Sequence, residues 1–320
     1  MHFRTPTTRT SLPYRSFNNN EVDFPVGRFV ESVALKQVKQ RLKSMLRMPI
    51  RLRAHRRDRA VAKAPRYHLA ACAIFREEAP FLAEWIRFHQ SVGFEHFYLY
   101  NNFSTDDYRS VLEPFIQAGL VTLTEWPRPV GQLSAYQDCV DLRWGEALWI
   151  GFFDIDEFLF APDGRDIATV LTSYRDLPGV CVWQAFYGSS GHVERPTAPV
   201  VEAYTMRAGP DITTAKTIVN PRMVYKPGVH LWKFLAGEAL DTHRRTIVPG
   251  MPPVLDVLRI NHYWSRSLAD LDQKIRRGDA STSKSRDKDW HFAFESKLNV
   301  ERDETILDAM RRLGPSHHHV

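Results

Sequence analysis

The chain has 320 residues, enough for one large domain or two ordinary ones, and its 43% hydrophobic and 25% charged residues are those of a globular protein. The net charge of +6 hides an asymmetry, because residues 1–66 carry 16 Lys/Arg against four acids and the remaining 254 carry 27 against 33. The basic character belongs to the N-terminal segment, which argues against a nucleic-acid-binding core.

No stretch approaches the roughly 18 apolar residues a transmembrane helix needs, and the polar opening does not read as a secretory signal. Cys72, Cys139 and Cys181 sit among apolar residues without C-x-x-C spacing, and read as reduced core residues of a cytoplasmic protein. Residues 1–27 are polar and without periodicity, and read as disordered. Across 28–48, Phe29, Val33, Leu35, Val38, Leu42, Met45 and Leu46 recur near the 3.6 period among lysines and arginines. This predicts a basic amphipathic helix within an N-terminal extension of residues 1–66. Such a segment suits peripheral contact with the inner face of an anionic membrane, or packing on the acidic body.

From Tyr67 strands and helices alternate. Residues 68–75 and 95–100 read as strands, 80–90 and 111–118 as helices, 121–126 as a third strand and 132–145 as a longer helix. Leu148, Trp149, Ile150, Phe152 and Phe153 form the next strand, which runs into Asp154, Asp156 and Glu157. If strand geometry persists, Asp154 and Asp156 share a side. Two carboxylates brought together out of water need compensation, and hard oxygen ligands at this spacing suit Mg²⁺ or Mn²⁺. The alternative is a strand end whose acids are solvated or paired with Arg.

The polar loops 76–78, 101–107 and 154–157 each follow a strand, so a parallel sheet gathers them at one edge into a nucleotide-sized site. Neither G-x-G-x-x-G nor a P-loop is present, so any phosphate here has to be held by a metal. Downstream, helices are expected over 166–175 and 267–277. Strands are expected over 179–186, 200–206, 216–221 and 229–232. Gly188, Ser189, Ser190 and Gly191 form a loop free to approach a ligand, with Trp183, Phe186 and Tyr187 suited to stack on a sugar ring. Residues 279–290 read as a polar segment able to order over substrate, and 301–313 as a final helix.

Several blocks in this order resemble glycosyltransferase family 92 and the related family 2-like bacterial glycosyltransferases. They are Phe75 to His89 leading into Gly93 to Asn102, then Trp149 to Phe158, Phe186 to His192, Lys216 to Val219 and Asn261 to Trp264. The resemblance covers roughly 67–278. It implies a GT-A type fold, a Rossmann-like mixed α/β sheet flanked by helices, within a domain of residues 67–313. Residues 67–160 would form its nucleotide-binding half, 161–278 its acceptor half, and 279–313 a C-terminal loop and helix. It also implies a UDP-linked nucleotide-sugar donor, a glycan or lipid-linked acceptor, Mn²⁺ or Mg²⁺, and inversion at the anomeric carbon.

By motif, Asp154 would contact the donor ribose or metal-bound water, and Asp156 would ligate the metal. His262, or else His230, would complete the metal site. Glu78, Asn101 and Asp106 would grip the nucleoside. The chain departs from the family pattern at Glu77, where Asn is usual, and at Asn101-Asn102 in place of Asp-Asn. Inversion needs a carboxylate base on the acceptor side. The candidates are Glu194, Glu202, Asp211 and Glu157. Glu202 is favoured because Val200 and Val201 would place it at a strand start facing the cleft. A metal-dependent nucleotidyltransferase or phosphohydrolase, or a non-catalytic nucleotide-sugar-binding module, would use the same acids.

Overall fold

The computed structural model describes residues 64–278 and 287–314. The helix expected over 28–48, most of the basic extension and the stretch 279–286 lie outside them.

β1 (Tyr67–Phe75) is a buried strand whose alternate residues feed the two sides of the sheet. Leu69, Ala71, Ala73 and Phe75 join one apolar cluster, and Ala70, Cys72 and Ile74 the other. A strand covered on both faces reads as a continuous apolar run, which is why it was legible in sequence. α1 (Ala79–Ser91) packs Phe81, Leu82, Trp85, Ile86 and His89 on the first side. It ends before Gly93, whose φ of +106° suits glycine. β2 (His96–Asn101), α2 (Tyr108–Gln117), β3 (Val121–Glu125), α3 (Gln132–Arg143) and β4 (Ala147–Phe152) follow. The strands lie in the order β4–β1–β2–β3, all parallel. α3 covers the second side through Ala135, Tyr136, Cys139 and Val140. This is the Rossmann-like portion expected.

The chain then turns at Asp154–Asp156 into β5 (Glu157–Phe160). After α4 (Ile167–Leu171) comes β6 (Gly179–Tyr187), then α5 (Val200–Ala203), β7 (Met206–Arg207), β8 (Ala215–Val219), β9 (Val224–Lys226), β10 (Lys233–Phe234), β11 (Leu240–Asp241) and β12 (Arg259–Tyr263). β8 runs antiparallel between β4 and β6. The far half of β6 pairs with β12, which also pairs antiparallel with β5. α6 (Leu268–Arg277), α7 (Lys288–Glu295), β13 (Glu301–Arg302) and α8 (Thr305–Leu313) complete the described chain. The result is a mixed sheet of 11 strands with helices on both sides, as a GT-A type fold requires.

Three local expectations are corrected. Val200–Ala203 is one helical turn behind Pro199, with Val200 and Val201 buried, and only Met206–Arg207 is strand. A β-branched pair suggested strand, but the proline fixes the entry and tertiary burial takes both valines. Residues 229–232 are irregular, and the strand comes at Lys233–Phe234. The polar stretch expected to run to 290 gives way at Asp287, whose carboxylate caps α7 by accepting from the Trp290 amide. Cys72, Cys139 and Cys181 are buried and free. Among the described residues, no helix is long and apolar enough to cross a membrane.

Candidate active site

The register of β5 against β12 builds the centre of the site. His262 pairs with Glu157 across that ladder, and with Phe186 of β6 on its other side. Because Asp156 directly precedes β5, one ligand atom each from Asp156, Glu157 and His262 falls within 4.8 Å of the others. His262 Nε2 is 3.5 Å from Asp156 Oδ2, and its Nδ1 is 3.7 Å from Glu157 Oε1. The buried Nδ1 has no hydrogen-bond partner, so a polar atom is held inside the protein without compensation. Two carboxylates and an imidazole are a donor set that fits Mn²⁺ or Mg²⁺.

Asp154 is not in that cluster. Strand geometry does not persist through Asp154–Asp156, since Glu157 N–H donates to the Asp154 carbonyl at 3.0 Å in a tight turn. The period-two argument therefore fails, and the two aspartates take different partners. Lys216 Nζ donates to Asp154 Oδ2 at 2.9 Å, and Gln132 Nε2, at the start of α3, to Oδ1 at 3.1 Å. With 34% of its side chain exposed, Asp154 remains accessible. Lys216 also lies 3.4 Å from Glu157 Oε1. Burial opposes its charge, but the two carboxylates hold its pKa well above the usual lysine value.

Glu157 is fully enclosed. Gln184 Nε2 donates to its Oε1 at 2.6 Å, and the Asp154 amide to Oε2 at 3.0 Å. Burial lifts its carboxyl above the ordinary range, and Lys216 counters only part of this. For Asp156 burial acts the same way, but the Lys274 ammonium and His262 outweigh it and hold the carboxyl well below its usual value. Lys274 Nζ is 2.5 Å from Asp156 Oδ2. His230, the alternative third ligand, uses Nδ1 on the Ala215 carbonyl at 3.1 Å. Burial, reinforced by Lys216, pushes it down to about 4.

The three polar loops do converge. Glu77 N–H donates to Ser104 Oγ at 2.9 Å, and Thr105 N–H to Glu77 Oε1 at 2.7 Å. Asp106 Oδ2 accepts from the Ala79 amide at 2.8 Å, tying the second loop to the first turn of α1. Asn101 donates to Glu125 Oε2 at 2.7 Å and accepts from Ser104 N–H at 3.0 Å. The unusual Glu77 thus acts as a clasp between loops. Glu78 has both oxygens on arginines, Arg266 at 2.6 Å and Arg277. Burial would raise its carboxyl, and those two guanidinium groups bring it below its usual value. Arg266 also donates to the Ile155 carbonyl at 3.0 Å, locking the third loop to the first.

Other expectations do not reach the centre. Trp183 is 4% exposed, packs with Cys181, Ala215 and Val254, and donates to Asp241, so no face is left for a sugar. In the Gly188–Gly191 loop the space above Gly188 is filled by the Asn299 amide, which a Cβ would meet at 2.5 Å. Ser189 N–H donates to Glu295 and Ser190 N–H to Asn299, so the segment after residue 287 pins this loop. Glu194, Glu202 and Asp211 are exposed. The strand start that was to aim Glu202 into the cleft is instead the turn of α5.

Sequence reasoning missed Lys216, Lys274, Gln132, Gln184 and Arg266. Lys216 had a signal, since a lysine inside the apolar run Ala215–Val219 must meet buried acids.

Residues 67–286 match the family profile described as Glycosyltransferase family 92. A glycosyltransferase family 92 protein of Ricinus communis is 30% identical over 172 residues, 50% of this chain and 29% of that protein. The galactan beta-1,4-galactosyltransferase GALS2 of Arabidopsis thaliana is 28% identical over 175 residues, 49% of this chain and 34% of that protein. The chain thus spans about a third of the length of the curated relatives it matches. Among solved structures, S. aureus TarS 1-349 in complex with UDP aligns over 77% of this chain and 69% of its own, with a TM-score of 0.38 and 11% identity. The family profile covers more than half of the chain, and the protein belongs to glycosyltransferase family 92.

Proposed function

We propose that this chain transfers a sugar from a UDP-linked donor to a glycan or lipid-linked acceptor, with inversion and with Mn²⁺ or Mg²⁺. The observation that carries the reading is the cluster of Asp156, Glu157 and His262 beside the loops that follow β1, β2 and β4, in a chain of this family. The naming of GALS2 as a galactan galactosyltransferase supports hexosyl transfer.

Asp156 and His262 would hold the cation, with Glu157 behind them. When bound, the cation supplies Lewis-acid stabilisation of the leaving diphosphate. Asp154, oriented by Lys216 and Gln132 and still partly exposed, would contact the donor. The interlocked loops 76–78 and 101–107 receive the nucleoside. Glu157 is closed off by Gln184, Lys216 and the Asp154 amide, so it serves as a holder and not as the base. With Glu157 closed off and Glu202 carried on the turn of α5, no acid is assigned to the acceptor proton.

A panel of nucleotide sugars with acceptor oligosaccharides tests this. UDP should be released only with Mn²⁺ or Mg²⁺, and chelation should abolish it. Release of pyrophosphate or inorganic phosphate instead would favour a nucleotidyltransferase or phosphohydrolase. Failure of UDP to bind with either metal would support a non-catalytic module.

A further inference from the structure

Lys274 stands in the last turn of α6, and its ammonium donates to Asp156 Oδ2 at 2.5 Å and to the Trp264 carbonyl at 2.8 Å. His262 Nε2 approaches the same Asp156 oxygen, at 3.5 Å. One carboxylate oxygen therefore meets both a permanent cation and an imidazole that belongs to the candidate metal set. Mg²⁺ sits about 2.1 Å from its carboxylate ligands, and at such range an ammonium on the same oxygen is repelled by the ion. On that oxygen the two cations compete.

The other cations of this cleft are bound differently. Arg266 and Arg277 are both committed to Glu78, which is no member of the metal cluster. Arg277 also donates to the carbonyls of Arg76 and Glu77, so it staples α6 to the first loop. Lys274 lies one turn earlier on the same helix face, and its partner is the metal-set carboxylate itself. The Lys274 ammonium is 5.4 Å from the Trp264 ring, a second favourable contact beside Asp156. That cleft is lined by Glu77, Asp156, Arg266, Lys274 and Arg277.

We propose that Lys274 is an exchangeable counter-ion. It neutralises Asp156 while the site holds no metal, gives that carboxylate up to a divalent cation, and then places its ammonium on the diphosphate arriving with it. The exchange rests on the proposed function only for the diphosphate; the competition with metal stands on the geometry alone. Its logic is protective, since an unpaired buried carboxylate is costly, and a lysine on a flexible stem compensates it reversibly.

Calorimetric titration of Mn²⁺ without nucleotide separates the two parts. Lys274→Met removes the competitor, so Mn²⁺ should bind on the order of tenfold more tightly than to the wild-type protein. Its melting temperature in chelator should fall, and Mn²⁺ should raise it by more than in wild type. Lys274→Arg, which keeps the charge, should bind Mn²⁺ no more tightly than wild type. In the second arm UDP is titrated at saturating Mn²⁺, and Lys274→Met should bind it more weakly. Equal or weaker Mn²⁺ binding by Lys274→Met, or none in either protein, overturns the exchange. Undiminished UDP affinity overturns the transfer to phosphate. Lys274→Gln, which keeps an amide donor for Asp156, repeats both arms should the methionine variant not fold.

Discussion

Among the described residues, Asp156 and His262 are set apart by the cluster they form with Glu157. Asp156 is 7% exposed, is ionised against the cost of burial, and meets a ring whose Nδ1 is unsatisfied. His96 Nδ1 is unsatisfied too, so what marks His262 is that its empty nitrogen lies 3.7 Å from Glu157 Oε1 inside the cluster of two carboxylates. Asp156→Asn keeps the shape and removes the charge, and should cut metal-dependent UDP release at least about 100-fold while far-UV circular dichroism stays unchanged. His262→Ala should move the Mn²⁺ titration to at least about tenfold higher concentration. An unchanged titration would reduce that ring to packing against Phe186, 4.7 Å away. Asp154, Asp156, Glu157 and His262 were all visible in sequence, because acids and a histidine embedded in apolar runs need an explanation. Lys274 was not, since its partner is 118 residues away and nothing in a basic helix face marks one lysine among several.

At the scale of elements, α1 positions the site without lining it. Trp85 and His89 lie one turn apart on its buried face. The Trp85 indole N–H is shared between the carbonyls of Asp154, at 3.1 Å, and Glu157, at 2.9 Å. A single donor thus fixes the turn that separates the two aspartates. Trp85→Phe keeps an aromatic ring and leaves both carbonyls without that donor. The lost hydrogen bonding should cost about 1–3 kcal/mol, with a further contribution from the cavity. The sharper sign is functional: donor KM should rise more than kcat falls, since the turn loses definition while the metal ligands remain. Denaturant unfolding and steady-state kinetics on one preparation check both. The apolar face of α1 was readable from its period, and β1 and β6 from their continuous apolar runs. The one-turn α5 and two-residue strands such as β7 and β10 were not, because tertiary pairing decides elements too short to show a period.

Across the whole molecule, sequence exposed the parallel half of the sheet and concealed its closure. Strand–loop–helix repeats imply β1, β2, β3 and β4 lying parallel with their loops at one edge. Nothing local says that β5 pairs with β12, a hundred residues later, yet that ladder sets Glu157 opposite His262. His89 bolts this closure to the helical layer. Its Nδ1 donates to the Trp85 carbonyl at 2.8 Å, and its Nε2 accepts from the Leu159 amide of β5 at 3.1 Å. The ring must be neutral, because a proton on Nε2 would face the N–H of Leu159. Burial accordingly pushes its pKa down to about 3. An unfolded histidine takes a proton near pH 6.5. Between that value and about 3, the unfolded chain therefore holds one proton more at this residue, and stability falls as pH falls. The slope is about 1.4 kcal/mol per pH unit, so acidification from 7 to 5 should remove about 2 kcal/mol through His89. Raised carboxyls such as Glu157 and Glu84 act in the opposite direction, so the total slope of the wild-type protein is not the test. His89→Gln can donate to Trp85 and accept from Leu159 without titrating. Urea unfolding at pH 7, 6 and 5 should show it less stable than wild type at pH 7 and closing that gap as the pH drops. Parallel curves for the two proteins would mean that His89 is not the neutral bolt its hydrogen bonds describe.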